Sequence, residues 1–275
     1  MVSVPFVKMV GAGNDFIIIE AREEFDYAKF ARAACARQNG IGADGVLVLD
    51  KSSESDYRMR IINADGSEAE MCGNGARCMA AYIVANREAV KPLFSMETLA
   101  GEVLAQAQGE VARVRLSDPK DYRPDLNITV ANQKLEVHYI DTGVPHTVVF
   151  VDGLQEVDTN TLGALIRNHP RFQPRGTNVN FVEHTRDGMV SVRTFERGVE
   201  AETLACGTGA VASALIAYLH AHPKLKKQQG AFMKVSTASK EILEITFDLD
   251  EGKEIENVWL KGSAKLIAKG EYFYV

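Results

Sequence analysis

No stretch of about 18 uncharged apolar residues occurs in this 275-residue chain, so no membrane-spanning helix is expected. Basic runs and patches are missing as well, and a net charge of −6 argues against a nucleic-acid partner. The opening Met1-Val2-Ser3-Val4-Pro5-Phe6 lacks a charged segment ahead of a long apolar core, which is not the pattern of a signal peptide. Cysteine is scarce. Four residues make no disulfide framework, and with no export signal the expected compartment is the reducing cytoplasm. The absence of Cys-x-x-Cys disfavours a thiol oxidoreductase. Cys72 and Cys78 stand six apart, and no His or second Cys pair supplies zinc spacing, so no metal is expected. What remains is ordinary for a globular protein, 46% apolar and 25% charged.

Against that background one sixteen-residue stretch occurs twice. Met71-Cys72-Gly73-Asn74-Gly75-Ala76-Arg77 runs on through Cys78 to Asn86, and Ala205-Cys206-Gly207-Thr208-Gly209-Ala210-Val211 runs on through Ala212 to His220. Cys72 and Cys206 are 134 positions apart, about half the chain, which favours two domains over one. Each copy is a Cys-Gly-x-Gly-Ala turn opening an apolar run. Residues 78–85 and 210–219 are apolar or small on all sides, the pattern of a helix enclosed by protein. A helix beginning there would offer its unpaired first N–H groups, and the positive end of its dipole, to an anion. A sulfur at that end is biased toward thiolate. Cys35, in an amphipathic segment, and Cys78, inside the apolar run, read as core cysteines.

The other elements also recur in order. Strands at Pro5–Met9 and Phe16–Glu20 flank a glycine loop that opens no helix, which argues against a dinucleotide fingerprint. Asp26 caps a helix to about Gln38, ended by Gly40. Strands follow at 46–49 and 57–62, then the turn Asn63-Ala64-Asp65-Gly66, the first cysteine stretch, and strands at 93–98, 102–106 and 111–116. Asp118–Asp121 reads as a linker. The second half then shows strands at 135–140 and 147–151, a helix over Thr161–His169, strands at 179–182 and 189–195, and the second cysteine stretch. Strands at 232–236, 242–249 and in the run 258–275 close it. Glu68, Glu70, Glu200 and Glu202 precede the two helices, where acidic groups favour the dipole. An α+β fold is expected, each half a curved, mainly antiparallel, barrel-like sheet wrapped around its buried helix, with the active site in a cleft between the halves.

Two identical thiols facing one substrate could form a disulfide, bind a soft metal, or act on opposite faces of one carbon. The last needs one thiolate and one thiol, and cysteine at a helix N-terminus has a pKa suited to that work. The N–H groups of Gly73, Asn74, Gly207 and Thr208 could hold the adjacent carboxylate and the charge that builds beside it.

Gly13-Asn14-Asp15-Phe16, Asn63-Ala64-Asp65-Gly66-Ser67, the first cysteine motif, and Glu196-Arg197-Gly198 with the second cysteine motif together resemble the diaminopimelate epimerase family. The resemblance covers essentially the whole chain. It implies a cofactor-independent, two-base interconversion of LL- and meso-diaminopimelate in lysine and peptidoglycan synthesis. It also implies pseudo-twofold domains, residues 1–118 with 264–275 and residues 119–263, the last strand returning to the first domain. Carried over by position, Cys72 and Cys206 are the bases, assisted by His146 and Glu196. Asn14, Asn63, Asn178, Glu196 and Arg197 are substrate contacts, and Gly73, Asn74, Gly207 and Thr208 form the carboxylate cradle. Bland readings stand beside these: turn formers for Asn14 and Asn63, a strand-edge histidine for His146, and a surface ion pair with Glu196 or Glu200 for Arg197. The chain departs from the family at Val144, where many members have Asn, and at Gly45, where others have Gln. A racemase of another amino acid and a non-catalytic amino-acid binder are the alternatives. A homodimer is expected, with Trp259 and Tyr272-Phe273-Tyr274 as apolar candidates for its surface, although simple core packing is the favoured reading for each of them.

Overall fold

A computed structural model describes residues 2–87, 90–252 and 254–274; Met1 and Val275, the outer ends of the first and last segments assigned above, lie outside the described residues. In chain order come β1 (Val2–Gly11), β2 (Asn14–Glu20), α1 (Tyr27–Ala34), β3 (Gly45–Asp50), β4 (Tyr57–Asn63) and β5 (Glu68–Ala69). Then come α2 (Gly73–Asn86), β6 (Phe94–Thr98), β7 (Gly101–Gln108) and β8 (Val111–Arg115). The second set is β9 (Lys120–Val130), β10 (Gln133–Asp141), β11 (Pro145–Phe150), α3 (Thr159–Arg167), β12 (Asn178–His184), β13 (Val190–Glu196) and β14 (Ala201–Thr203). It finishes with α4 (Gly207–Ala221), β15 (Gln228–Ser236), β16 (Ile242–Leu249), β17 (Ile255–Ser263) and β18 (Lys265–Tyr274). The fold is α+β.

Two compact units divide the chain: Met1–Arg115 with Lys261–Val275, and Leu116–Leu260. In the first, β1 pairs antiparallel with β18 and β2, β2 runs parallel to β3, and β3 pairs antiparallel with β4. Beyond β4 lie β5, antiparallel, and β6, parallel, and β7 and β8 continue from β6. The second unit has the same succession: β9–β10–β11 antiparallel, β11–β12 parallel, β12–β13 antiparallel, then β14 and β15 on β13 and β16 on β15. So β18 holds beside β1 the place that β9 holds beside β10.

Each sheet is covered on both faces, which explains continuous apolar runs such as Phe16–Ile19. Ile17, Ile19, Val46 and Val48 face Phe30, Ala31 and Ala34 of α1. The opposite face receives α2, which packs on β1, β2, β3, β4, β7 and β8 and is buried from Gly73 to Ile83. In the second unit Val179, Phe181 and Phe195 face Ile166 of α3, while α4 packs on β10, β11, β12, β13, β15 and β16. A helix without a polar face is enclosed because every side meets a strand.

Two expectations are corrected, and core packing holds for two of the terminal aromatic residues. The α1 helix ends at Ala34, because the chain folds back and the Ile41 and Gly42 N–H groups take the Ala34 carbonyl at 2.8 and 2.9 Å. Gly40 permits that reversal, since a Cβ there would lie 2.2 Å from the Ala33 carbonyl oxygen. Half of the expected linker belongs to β9. Its Pro124 and the positive-φ residues Asp121 and Asp125 sit at its register shifts against β10, where a ladder accommodates them. Tyr272 and Tyr274 pack on Phe30, with ring centroids 6.0 and 5.5 Å apart, so of that trio only Phe273 is exposed. Trp259 is half-buried and donates to Asn257 at 2.9 Å. No helix of the described residues is long and apolar enough to cross a membrane.

Candidate active site

In the first unit the turn after β4 closes through Gly66, whose φ of 88° suits glycine and whose N–H donates to Asn63 at 2.9 Å. Asn63 is exposed and donates to the Ser67 hydroxyl at 3.0 Å. Glu68 is held by a two-pronged ion pair with Arg60 at 2.8 and 2.9 Å, which keeps its carboxyl below the usual range. The chain then arrives extended at Cys72, the N-cap of α2, whose sulfur accepts the Gly75 N–H at 3.4 Å. Gly73 and Asn74 form the first turn. Asn74 donates to Asn14 at 2.6 Å and accepts from the fully buried Arg77 at 2.9 Å, while Asn14 donates to Asp44 at 3.0 Å. Asn14, Cys72, Gly73 and Asn74 therefore come together, and Asn63 joins them through the adjoining Ala64 N–H, which donates to Asp44 at 3.2 Å.

In the second unit Glu202 pairs with Arg193 as Glu68 does with Arg60, and Glu200 pairs with Arg167 at 2.9 Å. These acids anchor the hairpins ahead of the helices rather than serving only the dipole. Arg197 does not pair with Glu200; its guanidinium donates to the Arg175 carbonyl at 2.8 Å and its N–H to Asn178 at 2.9 Å. Asn178 is buried and donates to the Pro145 carbonyl at 3.0 Å. The Glu196 carboxylate accepts from Thr203 at 2.9 Å. Cys206 is the N-cap of α4, opening onto Gly207 and Thr208, with its sulfur 3.4 Å from the Thr208 hydroxyl. His146 lies in β11, between β10 and β12, so it is no strand-edge residue. It is fully buried, 3.0 Å from the same Thr208 hydroxyl and 3.1 Å from Asn180. Burial first, and then the charge of Arg197, push its pKa down to about 3.

The other two cysteines are core residues. Cys78 is fully buried, and Cys35 is held protonated, pushed up to about 12 by burial and then by Asp15 and Asp44. Among the described residues, Asp125, Glu136 and His138 bring donor atoms within 4.8 Å of one another. The His138 Nδ1 lone pair there already accepts the Asp125 N–H at 3.2 Å. Of the two departures, Gly45 lies opposite Asn63, and a Cβ there would stand 2.9 Å from the Ile62 carbonyl oxygen. Arg77 and Asn180 escaped the sequence reading. Each was marked only as a polar residue inside an apolar run, Arg77 standing where the second copy has Val211.

A sequence profile of diaminopimelate epimerase matches residues 6–119 and 138–266. The chain belongs to the diaminopimelate epimerase family. It is 40% identical over 280 residues to the diaminopimelate epimerase of Aquifex aeolicus (strain VF5), covering 96% of each chain. It is 46% identical over 233 residues to that of Methanocella arvoryzae (strain DSM 22066 / NBRC 105507 / MRE50), covering 79% of this chain and 82% of the relative. Among solved structures, a Bacillus anthracis phenazine biosynthesis protein of the PhzF family superposes with a TM-score of 0.78 at 16% identity, over all of both chains. A hydroxyproline epimerase from Agrobacterium vitis with bound trans-4-OH-L-proline gives 0.71 at 17% identity, over 98% of this chain and 92% of that one. These last two share the fold. The interval the family profile leaves unmatched, 120–137, holds β9 and the start of β10, the segment whose strand the sequence pattern also concealed.

Proposed function

We propose that this protein is an isomerase that converts LL-2,6-diaminopimelate to meso-diaminopimelate in the cytoplasm, without a cofactor, by two-base proton transfer at the α-carbon. The observation that carries the chemistry is the repeated N-cap: Cys72 and Cys206 each cap the N-terminus of a long buried helix, ahead of Gly73-Asn74 and Gly207-Thr208. A thiolate at such a position is favoured, and the first-turn N–H groups suit a carboxylate. One cysteine takes the α-proton as thiolate and the other, as thiol, returns a proton to the opposite face. Atoms and charge balance, because each turnover exchanges the protonation states of the two sulfurs. His146, neutral and buried, acts by position rather than by exchanging a proton. Glu196 assists from the adjoining hairpin, and Asn14, Asn63, Asn178 and Arg197 contact the substrate.

The test is incubation with LL-diaminopimelate in deuterium oxide. Meso product carrying solvent deuterium at one α-carbon, with no added cofactor, is expected. Cys72→Ala and Cys206→Ala should each lower the rate at least about 10³-fold, in the range of general acid–base effects, while the circular dichroism spectrum stays native. Near-native turnover in either variant refutes the two-base assignment. A second reading, a racemase of another amino acid, is favoured by one observation: Gly45 supplies no side-chain amide where other members carry one to read the far end of the substrate. Faster exchange on another free amino acid than on diaminopimelate would select it.

A further inference from the structure

The two cysteine turns are near copies, yet what lies beneath them differs. Strand registers align the units residue by residue. Phe16 stands opposite Gly45 as His146 stands opposite Asn178, and Leu47 stands opposite Ile61 as Asn180 stands opposite Thr194. Glycines confirm the alignment: a Cβ on Gly75 would meet Leu47 at 3.1 Å, and one on Gly209 would meet Asn180 at 2.4 Å. Thus where the first unit packs Phe16, Leu47 and Ile61, the second buries His146, Asn180 and Thr194. Polar groups in a place that hydrocarbon fills equally well carry a desolvation cost, so such a set is retained for what it holds in position.

Its hydrogen bonds have one consistent direction. Asn180 Nδ2 lies 3.2 Å from the Thr147 carbonyl and 3.1 Å from His146 Nδ1, and Oδ1 accepts from Thr194 at 3.0 Å. Turning the amide over would set its oxygen against the Thr147 carbonyl, two acceptors face to face, so the NH₂ group must point toward His146. Nδ1 is then an acceptor, and the ring proton resides on Nε2, which donates to the Thr208 hydroxyl at 3.0 Å. With its oxygen accepting from His146, the Thr208 hydroxyl has the Cys206 sulfur, 3.4 Å away, to receive its own hydrogen.

We propose that Asn180 is a positioning residue that fixes the tautomer of His146 and so aims the Thr208 hydroxyl hydrogen at Cys206. The Cys72 sulfur accepts the Gly75 N–H, and the residues at the matching places beneath it, Phe16, Leu47 and Ile61, are apolar. A hydroxyl donated to sulfur stabilises the thiolate over the thiol, so the relay poises Cys206. Its catalytic meaning rests on the epimerase reading, whereas alkylation reports on the sulfur whether or not any substrate turns over.

The experiment compares the native chain with Asn180→Leu, the residue the first unit has at the matching place. Iodoacetamide modification of Cys72 and Cys206 is followed by peptide mass spectrometry at pH 7. In the variant Cys206 should react about tenfold more slowly, one unit of thiol pKa, while Cys72 in the same molecules keeps its rate. A general loosening of the fold would move both sulfurs and expose Cys35. An unchanged Cys206, or equal changes at both, overturns the proposal. A second measurement needs no variant: ¹⁵N resonances of His146 in the native chain between pH 5 and 8 should show Nε2 protonated and Nδ1 bare. A proton on Nδ1 overturns the proposal outright.

Discussion

An imidazole that stays neutral in the interior ties stability to pH. In the unfolded chain a histidine takes up a proton near pH 6.5, whereas folded His146 resists one down to about 3, because of burial and then the charge of Arg197. Between those limits the unfolded state holds more protons, so stability falls as the pH drops below about 6.5, with a limiting slope of ~1.4 kcal/mol per pH unit. His138 is also lowered by burial and adds in the same sense. His146→Gln, neutral throughout, should show a shallower loss of urea midpoint between pH 6.5 and 5, above the range where ordinary carboxylates titrate. Parallel profiles for variant and native chain would show that His146 is protonated in the folded state. At this scale the cysteines were legible because they occur twice in the same setting. The polar set behind Cys206 was not, since its members come from three strands and only the parallel pairing of β11 with β12 brings His146 and Asn180 to one place.

The two central helices allow a controlled comparison between elements. Gly75 of α2 and Gly209 of α4 hold the same position in the repeat, but their neighbours differ in freedom to move. A methyl group on Gly75 would press on a Leu47 methyl at 3.1 Å, which a small rotation relieves. On Gly209 it would meet the Asn180 oxygen at 2.4 Å, and that amide is pinned by Thr194, Thr147 and His146. Gly209→Ala should therefore cost about 1–3 kcal/mol in urea unfolding, the usual price of overpacking, and Gly75→Ala clearly less. Equal losses would contradict a rigid polar underlayer. The buried helices themselves were readable from composition, since an apolar surface on every side leaves enclosure as the outcome. The end of α1 and the whole of β9 were not. The first depends on distant N–H groups that return to cap Ala34, and the second is a strand built from turn-like residues tolerated at register shifts.

Across the whole chain, the duplication leaves two strands in matching places with opposite treatment. Beside β10, strand β9 carries Pro124, two positive-φ aspartates, two register shifts and the charges of Lys120, Asp121, Arg123 and Asp125. Those are the devices that stop an outer strand from recruiting another chain. Beside β1, strand β18 has no proline and a single register shift, and every residue from Lys265 to Glu271 is exposed. Leu266 and Ile267 are each 55% exposed and Phe273 63%, with Val2 of the paired strand at 46%. Apolar side chains on a strand whose only such devices are that one shift and the charges of Lys265, Lys269 and Glu271 suit pairing with the same strand of a second copy, since an isologous contact needs one self-complementary patch. Sedimentation should accordingly report a dimer at micromolar concentration. The double substitution Leu266→Asp with Ile267→Asp should sediment as a monomer with a native circular dichroism spectrum, and Phe273→Asp should weaken association. A native chain that sediments as a monomer, or a double variant that still dimerises, would place the contact elsewhere or remove it.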